Sequence, residues 1–475
     1  MSSAEDGDRR YDGETRREHD QLGERFVPAA AYYGIHTLRA LENFPLSRRP
    51  AHPELIRALL TVKAAAAETN ARIGVLDTQI AAAIIRAADE IGSGPLLAEI
   101  RVDALQGGAG TSLNMNVNEV IANRAEELLG GTRGSYVKVD PIDHVNLHQS
   151  TNDTFPTAMK VAALRLLKQL EPAIARLQTA FQAQEKRWSG VVKMGRTELQ
   201  DATPISFGAV FSAFADALAR DRWRVFKSEE RLRVVNLGGT AIGTAIAAPR
   251  DYVFGVVDTL RRLTGLPLAR AENLVDATQN ADAFVEVSGI LKAHAANLFK
   301  ISSDLRLMAS GPDAGFNEIR LPAVQTGSSI MPAKVNPVIA EAVGQVALKV
   351  IGNDGIVTAA AQNGQLELNP FLPLLADAFL ESLTLLEAAD RMFADHCVDG
   401  IEVNVDKVAA TLKGSRAIAT ALVGVLGHHR ATEIVRAAEA NGRTVAEEVL
   451  AEGLIGEDQL AWLISAEATT ALGKR

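Results

Sequence analysis

Apolar residues recur at three-, four- and seven-residue steps through the middle of this 475-residue chain. The first such stripe follows Pro156 and consists of Val161, Leu164, Leu167, Ile174, Leu177 and Phe181. Since an α-helix turns every 3.6 residues, this spacing places the stripe on one helical face. The pattern predicts a long amphipathic helix in which Pro172 can introduce a kink.

Four further tracts share the helical period. They are residues 205–232, residues 283–308, the tract after Pro337, and a tract containing Leu375, Phe379, Leu386 and Phe393. Five long amphipathic helices joined by Gly/Pro loops predict an extended helical bundle. The tracts 205–232 and 283–308 are long for one globular core. Their seams therefore predict packing against partner helices in an oligomer whose subunits share the bundle.

The flanks of the chain differ from its centre because their segments are shorter. We expect domains at 1–148, 149–404 and 405–475, the second being the helix bundle and the third a small helical domain. The polar and acidic start, MSSAEDGDRRYDGETRREHDQ, predicts a disordered tail over residues 1–17. This composition is also unlike that of a signal peptide.

Charge and cysteine content exclude several classes of partner and site. The formal net charge is −9, so the chain lacks the basic excess that a nucleic-acid partner requires. Cys397 is the single cysteine, which rules out an internal disulfide framework and a cysteine-based metal site. No apolar run approaches the ~18 residues that a membrane span needs. We expect a soluble, cytoplasmic protein.

Small polar residues cluster in four stretches where loops meet helices. The stretches are GGAGTSLNMNVN (107–118), HQSTNDTFPT (148–157), GRTELQDATP (195–204) and GSSIMPAKVNP (327–337). Together they supply Thr111, Ser150, Thr151, Asn152, Thr197, Ser328, Ser329, Lys334 and Asn336. Hydroxyls, carboxamides and one ammonium form a set suited to binding carboxylates. Ser150, Thr151 and Asn152 also suit plain helix capping, and a helix N-terminus can serve both purposes.

Other candidate motifs are weaker. GGTAIG at 238–243 resembles a dinucleotide-binding loop, but no predicted strand precedes it. His144 and His148 have the i, i+4 spacing of metal ligands, yet no glutamate-based metal signature accompanies them, so structural histidines are the better interpretation. No nucleophile elbow or phosphate loop is found. We assign neither a cofactor nor a metal.

As a set, and in this order, the four stretches resemble the signature segments of the aspartase/fumarase superfamily. The resemblance extends from about Arg25, through VPAAAYYGIHTLRALENF, to GRTVAEEVLAEGLIGEDQL near the end. It implies an all-α fold of three domains, with the central helices paired into one bundle across a homotetramer. It also implies active sites built from loops of three subunits, and reversible anti-elimination from a succinate derivative to release fumarate.

Within the superfamily, YYGIHTLRA, GGAGTS and GQLELN resemble aspartate ammonia-lyases. FPTAM and the GGT of GGTAIGT are closer to fumarate hydratases. The resemblance therefore implies elimination of ammonia from L-aspartate. The alternatives are a fumarate hydratase, a C–N lyase acting on an N-substituted succinate, and a catalytically dead structural relative. The intact Ser328, Lys334 and Asn336 argue against the last.

The resemblance also implies a role for each residue. Ser328 would be the general base, acting as an alkoxide once the 327–337 loop closes as a lid hinged at Gly327. Four residues would hold the β-carboxylate as negative charge builds: Thr111, Ser150, Thr151 and Ser329. Three would hold the α-carboxylate: Thr197, Lys334 and Asn336. Asn152 would contact the amino group that leaves.

The sequence departs from the family pattern at Glu198, where the family usually has histidine or glutamine. Val423–Gly424 replace an asparagine–proline pair, and Pro370 and Leu372 stand where aspartases more often have valine and glutamate. These changes bear on substrate identity more than on reaction class. We expect Glu198 near the bound substrate, with three placements open: facing the leaving amine, protonated in a buried position, or paired with an arginine such as Arg196.

Overall fold

The structure, a computed structural model, describes residues 13–471 and is mainly helical. Its first part holds the helices α1 (Ile35–Asn43), α2 (Pro53–Arg72), α3 (Thr78–Ser93) and α4 (Thr111–Leu128). The central part holds α5 (Thr151–Arg187), α6 (Phe207–Leu232), α7 (Arg250–Thr264), α8 (Leu274–Gln279), α9 (Asp282–Met308), α10 (Val338–Ala361) and α11 (Leu372–His396). The last part holds α12 (Val405–Gly414), α13 (Ala419–Leu426), α14 (His428–Asn441), α15 (Val445–Ala451), α16 (Glu457–Leu463) and α17 (Ala466–Thr470).

The strands are short and pair into small two-stranded sheets. They are β1 (Thr15–Asp20) with β2 (Gly23–Pro28), β3 (Val192–Thr197) with β4 (Gln200–Ser206), β5 (Val234–Val235) with β6 (Ala269–Arg270), and β7 (Ile319–Arg320) with β8 (Glu402–Val403). Only the β5–β6 pair is parallel among these. The fold is therefore mainly helical. The pairs β1–β2 and β3–β4 are local hairpins, whereas β5–β6 and β7–β8 join segments that are distant along the chain.

The five long helices predicted from the apolar stripes are confirmed as α5, α6, α9, α10 and α11. α5 continues through Pro172 without interruption. Its stripe is buried, as the helical period requires: Val161, Leu164, Ile174, Leu177 and Phe181 are each fully shielded from solvent. No single helix among residues 13–471 is long and apolar enough to cross a membrane, and one bent pair, α12 with 416–426, reaches that length and composition only jointly.

Contacts divide the described chain into two compact units that do not follow sequence order. The first unit contains the described residues up to Leu170, Val225–Lys292 and Val350–Leu385. The second contains Glu171–Arg224, Ala293–Lys349 and the described residues from Leu386 onward. Each of the five long helices contributes one end to each unit. The division at 1–148, 149–404 and 405–475 stays a prediction.

The prediction of a disordered N-terminal tail is wrong for the part of that tail that the structure describes. Residues 1–12 lie outside the described residues, but Thr15–Asp20 form β1 and pair antiparallel with β2. The guanidinium of Arg16 donates to the carbonyl oxygens of Ala31 and Tyr33, each at 2.7 Å, and to Glu18 at 2.8 Å. These charge-assisted bonds order a segment whose composition alone suggests disorder.

The GRTELQDATP stretch also differs from expectation, because it is a β-hairpin and not a loop between helices. Thr197 pairs with Gln200, so Glu198 and Leu199 are the two residues of the turn. Both have positive φ, +53° and +64°. Such turns usually use glycine or asparagine, and neither residue signals a hairpin in the sequence.

Candidate active site

The start of α5 is organised around the buried carboxylate of Asp153, in the first unit. Asp153 accepts hydrogen bonds from the backbone N–H groups of Ser150 at 3.0 Å, Gly238 at 3.1 Å and Thr240 at 3.0 Å. Burial raises the pKa of Asp153 to about 6, while these backbone donors act in the opposite direction. The Gly-rich stretch 238–243 thus holds the turn that presents Ser150, Thr151 and Asn152.

Asn152 is held against the same Gly-rich stretch. Its side-chain nitrogen donates to the carbonyl oxygen of Ala241 at 2.7 Å. Thr151 is the first residue of α5 and is buried, whereas Ser150 accepts from the backbone N–H of Asn152 at 3.2 Å. Of the three residues, Ser150 caps the helix through its side chain, as the plain interpretation of the sequence proposed, and the other two lie in the first turn at an N-terminus that favours anions.

Thr111 lies at the start of α4, next to the start of α5. Gly110 has φ +96°, and a Cβ atom there would lie 2.3 Å from Cδ2 of Phe155 on α5. Only glycine permits this close approach of the two helix starts. Thr111 is exposed, and its hydroxyl donates to the carbonyl oxygen of Gly108 at 2.7 Å. The structure thus brings Thr111 near the residues 150–152.

A buried polar cluster lies close to this turn, and sequence reasoning missed it. The ammonium of Lys63 donates to Oδ1 of Asn146 at 2.8 Å, and that oxygen also accepts from Asn114 and Asn118, each at 3.2 Å. Burial lowers the pKa of Lys63 to about 7, although the charge of Asp153 opposes this shift. The available signal was a lysine within the apolar run LLTVKAAAA of α2.

Histidines and unsatisfied polar atoms complete this cluster. Nδ1 of His148 lies 2.8 Å from Oδ1 of Asn70, and Nδ1 of His144 accepts from the backbone N–H of Asp140 at 2.9 Å. Hydrogen bonds thus hold both imidazoles. Among the described residues, three buried polar atoms lack a hydrogen-bond partner: Oδ1 of Asn118, Oε1 of Gln149 and the hydroxyl of Tyr252.

Thr197 and Glu198 lie at the tip of the β3–β4 hairpin in the second unit, and both are exposed. Non-glycine residues with positive φ are strained, a feature that clusters at functional sites. Arg196 pairs with Glu318 at 2.7 Å. Within residues 13–471, no hydrogen bond or ion pair holds the Glu198 carboxylate. Two of its three open placements, the buried one and the pair with Arg196, are therefore not found.

Two hydrogen bonds to Gly327 join the two ends of the 327–337 loop. The backbone N–H of Gly327 donates to the carbonyl oxygen of Lys334 at 2.9 Å, and the side-chain nitrogen of Asn336 donates to the carbonyl oxygen of Gly327 at 2.8 Å. A Cβ atom on Gly327 would lie 2.4 Å from the Lys334 oxygen, so this position requires glycine. An amide nitrogen has two N–H donors, which leaves one on Asn336 for a ligand.

Ser328 accepts two backbone hydrogen bonds within the loop. The N–H groups of Ile330 and Met331 donate to its Oγ at 3.1 Å and 2.9 Å. Two donors aimed at one hydroxyl oxygen stabilise negative charge there. Ser329 and Lys334 are exposed on the same loop, and so is Ile330, with 85% of its surface accessible.

The predicted residues therefore form three groups. Thr111, Ser150, Thr151 and Asn152 meet at two helix starts in the first unit. Thr197 and Glu198 share one turn in the second unit. The third group, Ser328, Ser329, Lys334 and Asn336, shares one loop of that same unit, and no hydrogen bond among the described residues joins this loop to the turn.

Comparison with known proteins shows the family to which the chain belongs. Residues 23–352 match the family model described as "Lyase", and residues 418–471 match "Fumarase C C-terminus". The chain belongs to the aspartase/fumarase superfamily of lyases. Its helical fold agrees with that assignment.

Several members of this superfamily are similar along almost their whole length. The chain is 47% identical to the aspartate ammonia-lyase of Pseudomonas aeruginosa, over 95% of this chain and 96% of the relative. It is 46% identical to the aspartate ammonia-lyase of Bacillus subtilis, over 94% of each. A solved structure described as fumarate lyase:delta crystallin from Brucella melitensis, bound to cobalt, has 50% identity and a TM-score of 0.91, covering 95% of this chain and 98% of that one.

Proposed function

We propose that this protein is an aspartate ammonia-lyase, which reversibly eliminates ammonia from L-aspartate to give fumarate. The observation that carries the proposal is the 46–47% identity to proteins of that name along 94–95% of the chain. The signature loop supports it, since Ser328, Ser329, Lys334 and Asn336 are all present. The aspartase-like stretches YYGIHTLRA, GGAGTS and GQLELN support the choice of ammonia as the leaving group.

The first step is removal of a proton from the carbon beside the β-carboxylate. Ser328 takes this proton as an alkoxide, and the N–H groups of Ile330 and Met331 stabilise its negative charge. The electron pair of the broken C–H bond moves into the carboxylate and forms a dianionic aci-carboxylate. Donors at the starts of α4 and α5 stabilise this species, because helix N-termini carry positive potential.

The second step breaks the C–N bond. The aci-carboxylate returns its electron pair to form the double bond of fumarate, and the protonated amino group of the substrate leaves with the C–N electron pair as neutral ammonia. Asn152 contacts the leaving group, while Lys334, Asn336 and Thr197 hold the α-carboxylate. Holding both carboxylates in one geometry converts binding energy into orientation of the reacting bonds.

The runner-up function is fumarate hydratase, and two features favour it: the match of residues 418–471 to the fumarase C model and the FPTAM stretch.

Purified protein should therefore be offered L-aspartate, L-malate and a panel of N-substituted aspartates, with ultraviolet absorbance following the fumarate double bond. Aspartate should give fumarate and ammonia in equal amounts. Turnover of malate without turnover of aspartate would assign the hydratase, and turnover of an N-substituted aspartate alone would assign a different C–N lyase.

We also propose a homotetramer whose active sites combine residues of three subunits. Long helices with exposed aromatic side chains support this, since Trp223 and Phe226 on α6 are 60% and 55% exposed. Surfaces of this kind usually pack against a partner. Light scattering coupled to gel filtration should give four times the 50.6 kDa chain mass. A stable, active monomer would refute both the shared bundle and the multi-subunit site.

A further inference from the structure

The side chain of Asn152 is held in one orientation at the start of α5. Its nitrogen donates to the carbonyl oxygen of Ala241 at 2.7 Å. A carbonyl oxygen only accepts hydrogen bonds, so the nitrogen of the carboxamide, and not its oxygen, must face Ala241. Within residues 13–471, no hydrogen bond occupies Oδ1 of Asn152. This oxygen is therefore the acceptor that Asn152 offers to a ligand.

The buried residue Asn236 joins the start of α5 to the Gly-rich stretch. Its side-chain nitrogen donates to the backbone carbonyl oxygen of Asn152 and to the hydroxyl of Thr278 on α8, each at 3.0 Å. Its Oδ1 accepts from the hydroxyl of Thr157 on α5 at 3.3 Å. Its backbone carbonyl oxygen accepts from the N–H of Gly239 at 2.9 Å. With only 2% of its surface exposed, Asn236 thus contacts three elements at once.

The remainder of the Gly-rich stretch is fixed on the side of α8. A Cβ atom on Gly243 would lie 2.4 Å from the backbone nitrogen of Val275, so the stretch packs directly on that helix. The N–H of Ala245 donates to the carbonyl oxygen of Gly239 at 3.0 Å and closes the stretch into a compact turn. Ala241 lies between these contacts, so its carbonyl oxygen has a fixed place beside Asn152.

The amino group of aspartate requires an acceptor of this kind. A protonated amino group has three N–H donors and no lone pair, so Oδ1 is the only atom of a carboxamide that can bind it. In the opposite orientation, the N–H groups of Asn152 would face the ammonium and repel it. A hydrogen bond from a charged donor is also roughly twice as strong as a neutral one. The orientation of Asn152 therefore decides whether the site binds an ammonium.

We propose that Asn236 is a positioning residue for the leaving group. It holds Asn152 against Ala241, so that Oδ1 of Asn152 faces the amino group of the substrate. All the residues involved belong to the first unit of a single chain, so the arrangement does not depend on contacts between subunits. This inference rests on the proposed ammonia-lyase function.

The test compares Asn236→Asp with a matched control, Asn280→Asp. Aspartate at position 236 has nearly the size of asparagine but cannot donate to the carbonyl oxygen of Asn152. Asn280 is exposed at the end of α8, and its side chain bonds only Asp276, at 2.7 Å. In Asn236→Asp, kcat/KM for aspartate should fall about tenfold or more, the effect expected for a lost hydrogen bond to a charged group. Asn280→Asp should stay within about twofold of the wild type.

Succinate separates positioning of the leaving group from a general loss of structure. It has both carboxylates of the substrate but no amino group, and Asn236 bonds none of the residues proposed to hold carboxylates. The inhibition constant of succinate should therefore change less than about twofold in Asn236→Asp. Circular dichroism checks that each variant is folded. Equal weakening of succinate and aspartate in a folded variant would overturn the proposal.

A double-mutant cycle tests whether Asn236 acts through Asn152. Asn152→Ala removes the carboxamide, so adding Asn236→Asp should then have little further effect on kcat/KM for aspartate. Additive effects of the two substitutions would overturn the proposal. Inactivity of the wild type on aspartate would instead overturn the proposed function.

A milder variant covers failure of Asn236→Asp to fold. Thr278→Val keeps the shape of the side chain but removes the hydroxyl that accepts from Asn236. It should lower kcat/KM for aspartate about two- to fivefold, as expected for loss of one neutral hydrogen bond, and leave the inhibition by succinate unchanged. Wild-type kcat/KM in folded Thr278→Val, together with an unfolded Asn236→Asp, would make Asn236 structural only.

Discussion

Nε2 of His294 lies 2.9 Å from Oδ2 of Asp390, and neither side chain is exposed to solvent. On the other side of the ring, Nδ1 lies 3.1 Å from Oδ2 of Asp221. Burial alone would lower the pKa of His294, but these two carboxylates raise it to about 10. A buried imidazolium thus joins α6, α9 and α11 within the second unit.

His294→Leu should destabilise the protein severely. The substitution leaves two buried carboxylates with their shared cation removed, although Arg224 and Asn297 still bond Asp221. Breaking a buried ion pair in this way costs about 3–5 kcal/mol of unfolding free energy. Thermal and urea melts measure it, with exposed His429→Leu as the control. Equal melting curves for the two variants would contradict a charged His294.

The pH dependence of stability should have two opposing contributions. The folded-state pKa of His294 is about 10 against 6.5 for a free imidazole, so its contribution is complete below pH 6.5 and is lost as pH rises through 10. Burial lowers the pKa of Lys63 from 10.5 to about 7. Burying its charge therefore reduces the free energy of unfolding below pH 7, and this reduction is lost as the pH rises from 7 to 10.5. Lys160, lowered to about 8, acts in the same direction as Lys63.

Single variants should separate these contributions. Between pH 7 and pH 9.5, the melting temperature of Lys63→Met should fall more steeply with pH than that of the wild type. The melting temperature of His294→Leu should instead rise relative to the wild-type trend. Parallel curves for all three proteins would exclude both assignments.

Ser328→Ala should leave the fold intact and abolish most turnover. The hydroxyl is the proposed base, and its oxygen organises only two N–H groups of an exposed loop. Loss of a general base typically costs about 10²–10⁴-fold in kcat. Thr326→Ala, at an exposed position directly before the loop, is the control and should keep its activity. Near-normal kcat in Ser328→Ala would show that another group removes the proton.

The sequence predicted the helical bundle well because apolar periodicity is a local property. The stripe of α5 needs no knowledge of its partner to indicate a helix. Lys63 could not be predicted in the same way, since its partner Asn146 is 83 residues distant along the chain. The β3–β4 turn was missed for a different reason: Glu198 and Leu199 adopt positive φ without the residues that usually permit it.

The same contrast between local patterns and contacts of distant residues applies to the candidate site. The motifs named the residues of each polar group, and their order along the chain identified the superfamily. The motifs did not reveal that Asp153 supports the 150–152 turn through Gly238 and Thr240, because that support depends on a contact across 85 residues. Nor did the motifs reveal that Arg196 forms an ion pair with Glu318.

Lys334→Met should act mainly on substrate binding. The ammonium is exposed at the loop and is proposed to face the α-carboxylate. A charged hydrogen bond of this kind contributes about 1.5–3 kcal/mol, which corresponds to a KM increase of roughly 10- to 150-fold. Steady-state kinetics with aspartate measures it, and Lys349→Met on α10 serves as the control. A fall in kcat with unchanged KM would place Lys334 in the chemical step instead.

Glu198→Gln should change the choice of leaving group more than the overall rate. The Glu198 carboxylate stands at an exposed turn next to Thr197, which is proposed to bind the α-carboxylate. Two like charges at ~4 Å repel by about 4 kcal/mol at an effective dielectric of roughly 20, and solvent reduces this at an exposed site. The same charge attracts an ammonium, so Glu198 favours a cationic or larger nitrogen group.

Glutamine at position 198 removes both effects and should raise kcat/KM for aspartate relative to an N-substituted aspartate. The ratio of the two kcat/KM values in both proteins measures this, with Glu185→Gln on α5 as the control. A ratio that Glu198→Gln leaves unchanged would mean that Glu198 does not read the leaving group, and aspartate would remain the substrate that the relatives support.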